Sequence, residues 1–246
     1  STGAGHGMDF TGIPQIAAKM AAWPRQYTVY EPPPSPPPVP VYVPEAHDIS
    51  NTIPTSSYSL GINAQELIVV HCTRSGRTAD WDNEKELQAT ISWFQNPQSQ
   101  TSAHMIQAAN GDWYRCVPWG FRAYHAGYLN SKAIGIEIVQ PTATWPIADI
   151  VYHRLAEAVI WLCEEFSIPR ARVMDENKQG IIGHEDTAQG ILQGKSDPGP
   201  MFSWEKFMTL VSPGTLPPLP PPQDKLAAAK ALAQQAQGLL DEILRL

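Results

Sequence analysis

Leu67-Ile68-Val69-Val70-His71-Cys72-Thr73 is an apolar run of strand type that ends on an imidazole. Such a run places His71 where a sheet meets its loops. A second short apolar run, Ile181-Ile182, delivers His184 in the same way, inside Gly183-His184-Glu185-Asp186. Shortly downstream, Asp197 stands on the Pro/Gly-rich turn Lys195-Ser196-Asp197-Pro198-Gly199-Pro200. Two imidazoles and one carboxylate make a three-ligand set for a catalytic zinc, with a fourth position left for water. A structural zinc is more often closed by four ligands, several of them Cys. Each piece taken alone is weak, because a lone His at a strand end is more often simply hydrogen-bonded.

Outward from these pieces the chain alternates strand and helix signals. The span 82–94 reads as a helix, with Leu87, Ile91 and Phe94 on one face and Asp82 near its start. The spans 103–108 and 113–117 flank Ala109-Asn110-Gly111-Asp112, which reads as a hairpin turn. A strand is expected over 133–139. The clearest helix runs over 150–166, with Val151, Leu155, Ala158, Val159, Leu162 and Phe166 inward, and Ile168-Pro169 ends it. A short helix over 203–210 closes the series. This alternation predicts an α/β fold, a central mixed β-sheet covered by helices.

The chain has 246 residues and 24 prolines. The prolines concentrate outside 63–211, and only that stretch carries enough periodic apolar residues for a sizeable core. Four parts follow: an N-terminal extension over 1–62 with a proline-rich segment, a catalytic domain over 63–211, a proline-rich linker over 212–223, and a helix over 224–246. In that last part Ala229, Ala236 and Ile243 repeat every seven residues, as do Leu232, Leu239 and Leu246. This thin heptad seam predicts weak self-association or docking. The net charge of −7 argues against nucleic acid as the main partner. Arg74, Arg77, Arg122 and Lys132 lie near the motif pieces and could bind substrate carboxylates, although for any one of them ordinary solvated surface charge is the favoured reading. Cys72, Cys116 and Cys163 form no metal-spaced pair and read as small buried hydrophobes. No apolar span is long enough for stable membrane insertion, and no secretory signal is visible.

Between the three ligand pieces come Ser102-Ala103-His104, Asn110-Gly111-Asp112, Tyr124-His125-Ala126-Gly127 and Ile134-Gly135-Ile136-Glu137-Ile138. The ordered series resembles the zinc-dependent N-acetylmuramoyl-L-alanine amidases of the type-2 amidase family. That family includes phage lysozymes, bacterial recycling amidases and peptidoglycan recognition proteins. The resemblance covers roughly 66–211. It implies a central mixed sheet with a zinc cleft on one side, one Zn2+ per chain, and a peptidoglycan or muropeptide substrate. The bond cut would join the lactyl group of N-acetylmuramic acid to the first L-Ala of the stem peptide.

The resemblance also assigns roles. Glu137 alternates with Ile136 and Ile138, so it shares a strand face with Gly135. Its unremarkable explanation is a salt-bridged or solvent-facing glutamate; the resemblance makes it the proton shuttle beside the zinc water. Lys195 precedes Asp197 by two residues and would point the same way on an extended segment. Recycling-type members carry lysine at this place, which implies oxyanion stabilisation. His125 becomes a cleft-wall residue, against the alternative of a histidine that supports a ligand or packs in the core. By their position near these pieces, Asn130 in the following loop and Arg77 are candidate substrate contacts. His104 is expected to be packed behind the ligands. The phage-lysozyme branch carries tyrosine where Ala103 stands, so that role falls to Glu137.

The favoured reading is a phage endolysin, made in a host bacterial cytoplasm and acting on the cell wall. The alternatives are a cytoplasmic recycling amidase acting on soluble muropeptides and a non-catalytic peptidoglycan-binding module. The last typically loses a metal ligand, and all three ligands stand here.

Overall fold

A computed structural model describes residues 46–213 with the exception of residue 77. The expected proline-rich segments and the heptad helix lie outside these residues. The elements run β1 (His47–Asp48), β2 (Tyr58–Ser59), β3 (Leu67–Cys72), α1 (Asn83–Gln95), β4 (Met105–Gln107), β5 (Trp113–Arg115), β6 (Arg122–Ala123) and β7 (Ala133–Ile138). Then follow α2 (Asp149–Glu165), β8 (Gly180–Gly183), α3 (Ala188–Leu192) and α4 (Trp204–Val211).

Six strands form one sheet in the order β1-β5-β4-β7-β3-β8. Only β4 and β5 pair antiparallel, through the predicted hairpin; the other neighbours are parallel. Gly111 takes a φ of +88° in the hairpin turn, a conformation that suits glycine. The central strands β3 and β7 are covered on both faces, which accounts for their nearly unbroken apolar runs. Full burial of each Ile or Leu in them contributes about 1.5–3 kcal/mol relative to exposure.

The pleat sorts the strand residues into two faces. In register, Leu67 faces Ala133, Val69 faces Gly135 and His71 faces Glu137. Those six residues therefore share one side of the sheet. Ile106 of β4 is in register with Glu137 and packs with Leu87 and Phe94 of α1, so α1 covers that side. On the opposite side of β4, Gln107 donates to the Val151 carbonyl of α2 at 2.9 Å. Helix α1 starts where Asp82 accepts the Lys85 N–H at 2.8 Å, a side-chain cap.

The packed unit begins earlier than residue 63, where the sequence analysis placed its start. Strand β1 joins the sheet edge beside β5. Ile53 is buried in the cluster that holds Leu87 and Ile106. The Ser57 carbonyl accepts the Ser102 hydroxyl at 2.6 Å. These segments are too short to carry a periodic pattern, which is why only their tertiary contacts reveal them.

Candidate metal centre and cleft

The carboxyl ends of the parallel strands β3, β7 and β8 meet at one edge, the usual ligand position in such sheets. There β3 presents His71, and β8 is followed at once by His184. The turn after α3 brings Asp197 to both. Asp197 Oδ2 lies 3.2 Å from Nδ1 of His71 and 3.2 Å from Nδ1 of His184. One ligand atom from each of the three lies within 4.8 Å of the others, and all three residues are buried.

The ring nitrogens of His71 are told apart by its neighbour. Nε2 of His125 faces the Ala133 carbonyl at 3.4 Å and carries its proton there. Nδ1 of His125 therefore accepts, and His71 Nε2–H donates to it at 3.0 Å. Burial lowers the His71 pKa to about 4, so the ring is neutral at neutral pH. Its Nδ1 is then a bare lone pair aimed at a carboxylate oxygen. Two acceptors at that distance repel unless a cation shares the space. Two imidazole nitrogens and one hard oxygen suit zinc, and the set leaves it an open side.

Glu137 stands next to His71 across the β3–β7 ladder. Burial, and then the charge of Asp197, push its pKa up to about 8, while Lys195 pulls it back. Its Oε2 is buried and has no hydrogen-bond partner among the described residues. Glu137 and Lys195 both line a cleft of about 520 Å³. Trp81, just before α1, and Thr90, Trp93 and Phe94 of α1 line it too. Trp93 is half exposed, and the Trp81 indole is fixed by donating to Glu86 Oε2 at 2.7 Å. These aromatics escaped the sequence analysis; an indole off the Leu87/Phe94 stripe was the available signal.

The profile of the N-acetylmuramoyl-L-alanine amidase family matches residues 63–200, more than half of the chain. The chain belongs to this family. A relative, the 1,6-anhydro-N-acetylmuramyl-L-alanine amidase AmpD of Escherichia coli, is 32% identical over 124 residues, which are 47% of this chain and 61% of that protein. The chain thus spans about six-tenths of the length of that relative. N-acetylmuramoyl-L-alanine amidase A of Achromobacter lyticus is 27% identical over 184 residues, 68% of this chain and 94% of that protein. A crystal structure of a selenomethionine AmpD derivative aligns with a TM-score of 0.50 at 24% identity, covering 70% of this chain and 97% of that one. It shares the fold.

Within this amidase-family fold the other expected site residues take definite places. His125 braces His71, and its ring lies over Gly135, where a Cβ would come within 2.6 Å of it. This places His125 against His71, one of the three candidate ligands. Asn130 uses its side-chain oxygen internally, accepting the N–H groups of His125 at 3.1 Å and Ala126 at 2.8 Å. His104 is fully buried behind His125. Its Nδ1 accepts the Gly135 N–H at 3.0 Å, so Nε2 carries the proton and donates to the Phe121 carbonyl at 3.0 Å. Arg77 lies outside the described residues. The other cations considered for substrate carboxylates are engaged elsewhere: Arg122 on the Ile62 carbonyl, Lys132 on the Glu176 backbone carbonyl and Arg74 on the Asp197 turn. The three cysteines are buried and free, as expected. Among the described residues no helix is long and apolar enough to cross a membrane.

The interval from His184 to Asp197 takes up its length as α3, with Thr187 accepting the Gly190 N–H at 2.9 Å. The Lys195 N–H then returns to the Gly190 carbonyl at 2.9 Å. This keeps Lys195 at the cleft despite the long connection.

Proposed function

We propose that the protein is a zinc-dependent N-acetylmuramoyl-L-alanine amidase that hydrolyses the amide between N-acetylmuramic acid and the first L-Ala of the stem peptide. The observation that carries this reading is the convergence of His71, His184 and Asp197 beside Glu137 and Lys195. His71, His184 and Asp197 would hold the ion. When bound, zinc supplies Lewis acidity toward the amide carbonyl and toward water.

The chain's own groups do the rest. Glu137 lines the cleft and has an unpartnered oxygen. It accepts a proton from the attacking water and passes it to the leaving nitrogen as the C–N bond breaks. The products are a lactyl carboxylate and the free amine of L-Ala. Lys195 places an ammonium where the carbonyl oxygen gains charge. The cleft along α1 offers Trp81 and Trp93 as flat apolar walls for sugar or peptide.

We extend the reading to intact peptidoglycan as the substrate, the role of an endolysin. The names of the AmpD relatives favour a second reading, a 1,6-anhydro-muropeptide substrate. Mass analysis of fragments released from sacculi, beside turnover of soluble anhydro-muropeptides, separates the two. Stem peptides starting with free L-Ala are the expected product in either case, and release of no such peptide would refute the reaction itself. His71→Ala is expected to lose zinc and activity together. Full zinc by elemental analysis in that variant would overturn the ligand set.

A further inference from the structure

Arg74 follows His71 by three residues. Its backbone takes a φ of +53°, a conformation that L side chains rarely adopt. Its N–H donates to the Gln140 carbonyl at 2.8 Å, and Nε donates to Gln140 Oε1 at 3.0 Å. Nη1 donates to the Ser196 carbonyl at 2.7 Å and to the Ser196 hydroxyl at 3.1 Å. Nη2 donates to the Pro198 carbonyl. The guanidinium thus holds the carbonyl before Asp197 and the carbonyl after it. Gly199 makes room for this, since a Cβ there would lie 2.4 Å from Nη2. Gln140 is itself fully buried and is anchored by donating to the Trp145 carbonyl at 2.8 Å.

We propose that Arg74 is a positioning residue that sets the Asp197 carboxylate against His71 and His184 for metal binding. This rests on the reading that those three residues hold zinc. One side chain ties together the ends of three segments: β3, which carries His71; the continuation of β7, which carries Glu137; and the turn that carries Asp197 and Lys195. The task needs arginine. A guanidinium has five N–H donors in a rigid fork, whereas a lysine ammonium is a single point that cannot span Gln140, Ser196 and Pro198 at once. The Glu185 N–H holds the Asp197 carbonyl at 2.8 Å, and its carboxylate meets the Gly199 N–H. Arg74 adds the hold on the carbonyls of Ser196 and Pro198.

The test uses the full chain. Zinc affinity is measured by competition with a chelator for the parent protein, Arg74→Ala, Arg74→Lys and His71→Ala, with circular dichroism of the zinc-free forms to confirm folding. Loss of a group that orients a ligand typically weakens metal binding about 10–100-fold. Both Arg74 variants are expected to fold and to show that loss, while KM for a soluble muropeptide at saturating zinc stays unchanged. Parent-like zinc affinity in a folded Arg74→Ala overturns the proposal. A rise in KM with zinc affinity intact also overturns it, and makes Arg74 a substrate-carboxylate site. Full affinity in Arg74→Lys refutes the fork. If Arg74→Ala fails to fold, Arg74→Lys decides. A parent protein that binds no zinc, or a His71→Ala that keeps it, refutes the underlying ligand set instead.

Discussion

Glu137 and Lys195 line the same cleft, and their proposed roles separate kinetically. Glu137→Gln keeps shape and hydrogen bonding but removes the base. Its kcat is expected to fall by about 10²–10⁴-fold with zinc still bound. Lys195→Ala should lower kcat by about 10²–10³-fold and leave KM nearly unchanged, because the charge it meets develops only in the transition state. The acid limb of the pH–rate profile should vanish or move in Glu137→Gln and persist in Lys195→Ala. A Glu137→Gln enzyme with near-normal kcat and an intact acid limb would remove the proton shuttle from the mechanism. His104 supports a different residue-scale prediction. Burial lowers its pKa from 6.5 to about 4, against the smaller opposing effect of the Phe121 carbonyl. The unfolded chain therefore binds the extra proton first as pH falls. Stability from this group is complete above pH 6.5 and is lost as pH drops toward 4, at up to ~1.4 kcal/mol per pH unit. Protonating Nδ1 would also displace the Gly135 N–H. Denaturant midpoints of His104→Gln should show a shallower loss over that window than the parent protein; an equal slope would place the titration elsewhere.

At the level of elements, β7 and α1 each hold the site through a single local feature. Gly135 leaves the space that the His125 ring fills. Gly135→Ala must push that ring aside, and with it the partner of His71 Nε2. Overpacking of this kind typically costs about 1–3 kcal/mol. The expected outcome is a lower denaturant midpoint together with weaker zinc binding. If zinc affinity holds while stability falls, His125 only fills space. Helix α1 carries the cleft wall and begins at the Asp82 cap. Asp82→Ala should cost ~1 kcal/mol of stability, with a range of about 0.5–2. Zinc content should not change, since no ligand lies on α1.

For the whole molecule, the proposed machinery lies between His71 and Asp197, and α4 ends at Val211. Removing residues 214–246 should therefore leave zinc content and turnover of soluble muropeptides intact. If the heptad seam associates, light scattering should give the full chain a mass above that of one chain and the truncated form the mass of a single chain. Lost activity in the truncated chain would show that the tail serves the cleft. Truncation at residue 63 should behave differently. It removes buried Ile53, β1 and the Ser57 carbonyl that binds Ser102. Loss of the Ile53 side chain alone should cost roughly 2–5 kcal/mol, visible as a lower melting temperature than a chain starting at residue 46.

The sequence alone determined the central elements and singled out the three candidate ligands. Hydrophobic periodicity is local, so β3, β7, α1 and α2 were readable to within a residue or two. Strand ends likewise marked His71 and His184, and the alternation around Glu137 placed it on the face of Gly135. Tertiary structure decided what depends on contacts between residues far apart in the chain. Arg74 reads from sequence as a surface cation because its partners Ser196 and Pro198 lie more than 120 positions away. The same holds for the tautomer of His71, set by a ring 54 positions on. Asn130 could not be told from a substrate ligand until the turn folded back on His125. A side chain carries its chemistry in its own atoms, but its protonation state and its aim come from neighbours that only the fold brings within hydrogen-bond reach.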